Sequence, residues 1–183
     1  MIDDQRLEEL SAKQEIADLL LLYCRGVDRC EPDLIKRAFW PDAYDDHGAH
    51  AAPAHQFADD IVASKLATTS WTTHAVTNHL VEIDGDAAFS EAIVLTFQKP
   101  VDSEEVNVFC GRYVDRLERR GGDWRIAHRH MIHDWSGSTV LQPWALASVT
   151  QAGFRQGARR GDDFVTGHGR QELMNNVVSR SNP

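Results

Sequence analysis

Two residues stand where a proton could be moved. Asp28 closes a run in which Ile16, Leu19, Leu20, Tyr23 and Val27 recur at helical spacing. It falls at the edge of that apolar stripe, beside Cys24 and Ala17, where a carboxylate loses hydration it must recover from a partner. His74 opens an alternating run after Thr72-Thr73, and a histidine at the inner mouth of a sheet suits a general base near neutral pH. Tyr23 lies within the stripe; core packing accounts for it, but its phenol would donate a hydrogen bond if the stripe lines a pocket. Arg129 alternates with Ala127 and Met131 on one strand face. A guanidinium on a buried face must be paired, so it is either half of a structural ion pair or an anion-stabilising group.

Each residue also has a plainer reading. Asp28 could be a solvated helix-end acid screened by Arg25 or Arg29, and His74 a hydrogen-bonded strand histidine. A metal is not expected. In an evenly alternating strand His74 and His79 point to opposite faces. His128 and His130 share a face, but spacing marks no third ligand. The Asp45-Asp46-His47 cluster, with His50 nearby, is equally incomplete. No G-x-S-x-G, P-loop or G-x-G-x-x-G occurs, so neither a hydrolase elbow nor a nucleotide cradle is indicated.

The elements that must position these residues can be read in outline. Ser11 is a candidate N-cap for the first helix, with Glu15 and Asp18 complementing its dipole. Pro32 opens a second short helix through Phe39, which Trp40-Pro41 ends. A third helical pattern runs from Gln56 to Leu66. Strands follow over His74 to Ile83, Ala87 to Gln98, Val106 to Leu117 and Trp124 to Trp135, with turns at Asp84-Gly85-Asp86 and Arg120-Gly121-Gly122-Asp123. Helices first and hairpins after them predict an α+β domain over 1–140, a cone-like curved mixed sheet (an α+β barrel) packed against three amino-terminal helices. The stretch 141–183 reads as a carboxy-terminal extension that could reach a neighbouring subunit through residues such as Trp144 and Phe154. A homo-oligomer is expected, trimer ahead of dimer.

The net charge of −9 argues against nucleic acid or anionic membranes as partners, because phosphate binding needs clustered Lys and Arg. Three cysteines with no C-x-x-C spacing fit a reducing compartment, and the polar, acidic amino terminus is no signal peptide. The apolar run Leu19 to Cys24 is too short to span a bilayer. A cytoplasmic protein is expected.

Three segments together resemble the SnoaL-like branch of the nuclear transport factor 2-like superfamily. They are Tyr23-Cys24-Arg25-Gly26-Val27-Asp28, Thr73-His74 with Asn78, and Arg112-Tyr113-Val114-Asp115 followed by Gly122-Asp123-Trp124-Arg125-Ile126-Ala127-His128-Arg129. The resemblance covers about residues 5–140. Within that branch the patterns look like those of hexachlorocyclohexane dehydrochlorinase, scytalone dehydratase and bile-acid 7α-dehydratase. It implies an Asp–His dyad in which Asp28 orients His74 to remove a carbon-bound proton, with Tyr23 and Arg129 stabilising developing charge. Cys24, Trp40, Asn78, Phe97 and Met131 would line the substrate site. The implied activity is a cofactor-independent lyase or isomerase acting on a hydrophobic cyclic small molecule. Two departures leave the substrate open: Tyr23 replaces the lysine of the dehydrochlorinase, and Phe97 stands near an acid of the bile-acid enzyme. Two rival readings share the fold, a non-catalytic small subunit of an aromatic-ring dioxygenase and a ligand-binding module without chemistry.

Overall fold

The computed structural model describes residues 3–142, 155–167 and 169–180. It divides into two compact units, 1–141 and 142–183. Trp144 and Phe154, expected at an interface, lie outside the described residues.

In the first unit, helices α1 (Asp4–Arg29), α2 (Pro32–Ala38) and α3 (Ala54–Thr68) accompany one six-stranded sheet. The strands are β1 (Phe39–Asp46), β2 (Ala52–Pro53), β3 (Thr69–Asp84), β4 (Ala87–Pro100), β5 (Glu105–Arg120) and β6 (Asp123–Val140). Their order is β2-β1-β6-β5-β4-β3. Only β1 and β6 run parallel, so the sheet is mixed. The α+β class and the three covering helices are as expected. The sheet stays open, however, with β2 and β3 as its edges rather than a closed barrel.

The first helix starts earlier than its apolar stripe. Asp3, not Ser11, is its N-cap, accepting a hydrogen bond from the Arg6 amide at 2.8 Å. Ser11 lies inside the helix and donates to Glu15 at 3.1 Å. The stripe itself behaves as its spacing predicts, since Ile16, Leu20, Tyr23 and Val27 are all buried. Cys30 ends the helix in the left-handed conformation (φ 56°), and Pro32 begins α2 at once.

That tight corner presses α2 onto Gly26. A Cβ there would lie 2.7 Å from Ile35 Cγ1 and 2.9 Å from the Ile35 nitrogen. Alanine gains about 1 kcal/mol in helix propensity, but overpacking a fixed backbone costs about 1–3 kcal/mol. Ile35 is fully buried and cannot yield. Gly26→Ala is therefore expected to lower the urea midpoint of unfolding, not raise it.

Strands β1 and β2 carry no sequence signal that anticipated them. Pairing of β1 with β6 shifts register between Phe39 and Tyr44, and Pro41, which has no amide donor, sits in that gap. The terminator Trp40-Pro41 thus ends α2 and begins a strand.

One irregularity in β3 changes which histidines face inward. Asn78 adopts a left-handed backbone (φ 44°) and is the extra residue of a bulge between Thr77 and His79. The even alternation expected for this strand breaks there. Asn78 is exposed, and His79 turns inward opposite Ala92, bonded through Nε2 to Ser90 Oγ at 2.8 Å. Burial pushes the His79 imidazole below its ordinary value, with the Asp115 charge opposing but not cancelling the effect. The folded chain thus disfavours the imidazolium. His79 takes nothing from stability above the ordinary histidine value of about 6.5, and stability is lost as pH falls from there through the lower folded value. His79→Gln is expected to flatten the acid side of a stability-against-pH curve measured by urea unfolding.

In the second unit, a 3-10 turn (Arg160–Asp162) precedes helix α4 (Gly169–Arg180). Asp163 is buried there and accepts a hydrogen bond from the Val165 amide at 3.0 Å.

Candidate active site

The end of α1 crosses the start of β3 and brings Asp28 to His74. Asp28 Oδ1 lies 2.6 Å from His74 Nδ1, and Oδ2 accepts the His74 backbone amide at 2.9 Å. One carboxylate therefore clamps both the ring and the backbone of the same histidine. Their side chains are 13% and 9% exposed, so the pair is screened from bulk water but not sealed. With Nδ1 engaged, Nε2 is the edge that the imidazole has left to offer.

His74 lines a cavity of about 240 Å³. Tyr23 and Val27 of α1, Phe57, Ile61 and Lys65 of α3, and His47 after β1 form part of its wall. The sheet contributes Thr96, Gln98, Phe109, Tyr113 and Met131. Engineered apolar cavities of roughly 150 Å³ accept benzene, so this one has room for a substituted single ring. The wall is mostly apolar with a few convergent polar groups, the usual make-up of a small-molecule site.

Of the residues singled out in the sequence, the structure gathers Asp28, His74, Tyr23 and Met131 at this cavity or directly behind it. The others lie elsewhere. Cys24 is buried away from the lining, and desolvation pushes its thiol up to about 12, so it stays protonated and unreactive. Trp40 donates its indole N–H to the Glu118 carbonyl at 3.0 Å and packs beneath the guanidinium groups of Arg120 and Arg125. Phe97 faces opposite to Thr96 and Gln98, which take the inner side. Asn78 forms the bulge.

Arg129 does not reach the lining either. It is fully buried, bonded to Asp115 through Nε and Nη2 at 2.7 Å each, and stacked over the rings of Tyr113 (4.0 Å) and Tyr23 (4.3 Å). Burial works against its charge, but the Asp115 carboxylate and its hydrogen bonds outweigh that and hold it well above the usual range. Of the two roles open to a buried arginine, the ion pair is the one present in the contacts. Burial raises the phenols of Tyr23 and Tyr113 well above 10, with Asp45 adding to Tyr23 and Cys24 to Tyr113. Both remain neutral, and both line the cavity.

Sequence reasoning had missed Tyr113, Phe109 and Lys65, and had weighed His47 only as a metal ligand. Alternation along β5 contained a usable signal: Tyr113 and Asp115 share a face, and an acid on an apolar face calls for the buried arginine. Among the described residues no group of three or more His, Cys, Asp or Glu is placed to hold a metal ion. No helix among them is long and apolar enough to cross a membrane.

Residues 8–130 match the SnoaL-like domain. The chain belongs to that family. An uncharacterised protein of Mycobacterium tuberculosis is 30% identical over 124 residues, covering 66% of this chain and 84% of its own. Among solved structures, a hexachlorocyclohexane dehydrochlorinase from Novosphingobium barchaimii superposes with a TM-score of 0.68 at 21% identity, over 75% of this chain and 98% of that one. A putative scytalone dehydratase from Novosphingobium aromaticivorans gives 0.66 at 15% identity, over 73% and 91%. At these identities the structural likeness establishes the fold; this SnoaL-like chain's chemistry must be argued from its own residues.

Proposed function

We propose that this SnoaL-like protein is a lyase or isomerase that removes a carbon-bound proton from a hydrophobic cyclic small molecule without a cofactor. The observation that carries the reading is the Asp28–His74 pair, half-hidden at an apolar cavity sized for one ring. Asp28 fixes the ring and stabilises the imidazolium that forms when Nε2 takes the proton. Tyr23 and Tyr113, as neutral phenols, would hydrogen-bond an oxygen or leaving group gaining negative charge. Arg129 supports them from behind through its charge on both rings. Fold neighbours described as a dehydrochlorinase and a putative dehydratase support the same class of chemistry. The three cysteines are free and buried, which fits the cytoplasm. Self-association as a trimer or dimer belongs to the same reading and is decided by light scattering at micromolar concentration.

The experiment is a panel of halogenated cyclohexanes and hydroxylated ring ketones, incubated with the protein in the presence of a chelator and analysed by mass spectrometry. One compound is expected to lose HCl or water, or to shift a double bond, with the wild type and not with His74→Ala. Equal turnover by both proteins would sink the proposal. Ligand binding that is indifferent to His74, with no turnover, would favour a binding module.

A further inference from the structure

The cavity holds a second histidine built like the first. Asp45 on β1 is fully buried, and its Oδ1 contacts His47 Nδ1. Its Oδ2 has no hydrogen-bond partner among the described residues. His47 lines the same cavity as His74, its ring stacked on Phe57 at 4.6 Å and tilted 6.3 Å from Tyr113.

The neighbouring residues divide the labour. Asp46 Oδ1 accepts the Gly48 amide at 2.8 Å and Oδ2 lies 3.2 Å from His130 Nδ1, so Asp46 fixes the turn on its exposed side. Gly48 makes that turn with φ +68°. Asp45 points the other way and serves His47. A buried carboxylate is expensive unless a positive or hydrogen-bonding partner answers it. Arg129, the register partner of Asp45 on β6, gives it a nearby positive charge but spends its two hydrogen bonds on Asp115, so His47 is the side chain bonded to Asp45. A buried carboxylate usually has its oxygens hydrogen-bonded. This one holds an imidazole by Nδ1, and that ring remains 22% exposed at the cavity wall.

We propose that His47, held by Asp45, is the general acid of this cavity, complementary to His74 as general base. The proposal rests on the lyase reading above and sharpens it. His74 Nε2 takes the proton from carbon, the C–H electron pair becomes the new double bond, and the bond to the leaving group breaks. The leaving group departs with its electron pair and receives a proton from His47 Nε2. His74 ends as imidazolium and His47 as neutral imidazole; exchange with solvent restores both. Chloride leaves without a proton, whereas hydroxide is too basic to do so. A cavity that provides an acid is therefore matched to substrates losing a hydroxyl group.

Two benzisoxazoles test this, because a base removes their carbon-bound proton while the N–O bond breaks to release a phenolate. The phenolate from 5-nitrobenzisoxazole is stabilised by its nitro group and needs no acid; that from the unsubstituted compound is more basic and does. His47→Gln is expected to slow the nitro compound little and the parent compound on the order of 100-fold. His74→Ala should slow both by that much or more. The ratio of the two rates within one sample does not depend on how much of the variant is folded. Equal loss on both probes, or none on either, with His74 still required, overturns the role of His47 and leaves the first dyad standing. Rates indifferent to His74→Ala overturn the base itself, and this proposal with it.

Discussion

His74→Ala is expected to reduce kcat/KM on the true substrate by on the order of 100- to 10,000-fold, the usual loss on removing a general base. The variant should remain folded, because the ring bonds one carboxylate at the cavity wall and fills no core position. Asp28→Asn should be nearly as severe for a different reason. An amide nitrogen presented to Nδ1 would donate where the carboxylate accepted, favouring the tautomer whose Nε2 carries the hydrogen and cannot act as base. The His74 amide at 2.9 Å could still bond the amide oxygen, so the backbone should hold. Because the two residues act as one unit, the double variant should be little worse than the worse single one. Steady-state kinetics on all three variants decides this, and multiplicative losses would mean that the residues work independently.

Arg129→Met should produce the largest loss of stability, about 3–5 kcal/mol, because it leaves Asp115 charged, buried and unpaired. Set against a typical domain stability of about 5–15 kcal/mol, that is a large fraction of the whole. Replacing both partners, as Arg129→Met with Asp115→Leu, removes the Asp115 charge and should recover part of the loss, with Asp45 still buried and without the Arg129 charge. Urea unfolding of the two single variants and the double variant measures the difference. The double variant is informative for chemistry as well. If it folds but turns substrate over far more slowly, the guanidinium matters to the reaction through the Tyr23 and Tyr113 rings. Near-normal turnover would confine Arg129 to holding the sheet together.

What the sequence yielded, and what it withheld, follows from how local each signal is. The α1 stripe and the four long strands are periodic, and periodicity needs no knowledge of neighbours. The meeting of Asp28 and His74, far apart in the chain, came instead from recognising the family pattern. Strand β1 stayed hidden because Pro41 reads as a breaker and the pairing resumes only beyond it, at Tyr44. The bulge at Asn78 was equally invisible, as one left-handed residue reverses every face that follows it. Phe97 and Trp40 were placed in the site by pattern alone; strand alternation excludes the first, and a hydrogen bond to the Glu118 carbonyl occupies the second. His47 was undervalued because a residue after an unread strand has no face to be assigned to. Its partner Asp45 looked like one member of an acidic cluster until the fold buried it and left Asp46 facing outward.

The most direct measurement follows one hydrogen. A ring substrate taken from the panel is labelled with deuterium at the carbon adjacent to the one that bears its leaving group and turned over by the wild type and by His74→Ala. The account predicts slower turnover of the labelled compound by the wild type, loss of the label from that carbon, and little reaction in the variant. A product that keeps its deuterium at that carbon, or a variant that turns over as fast as the wild type, would contradict it.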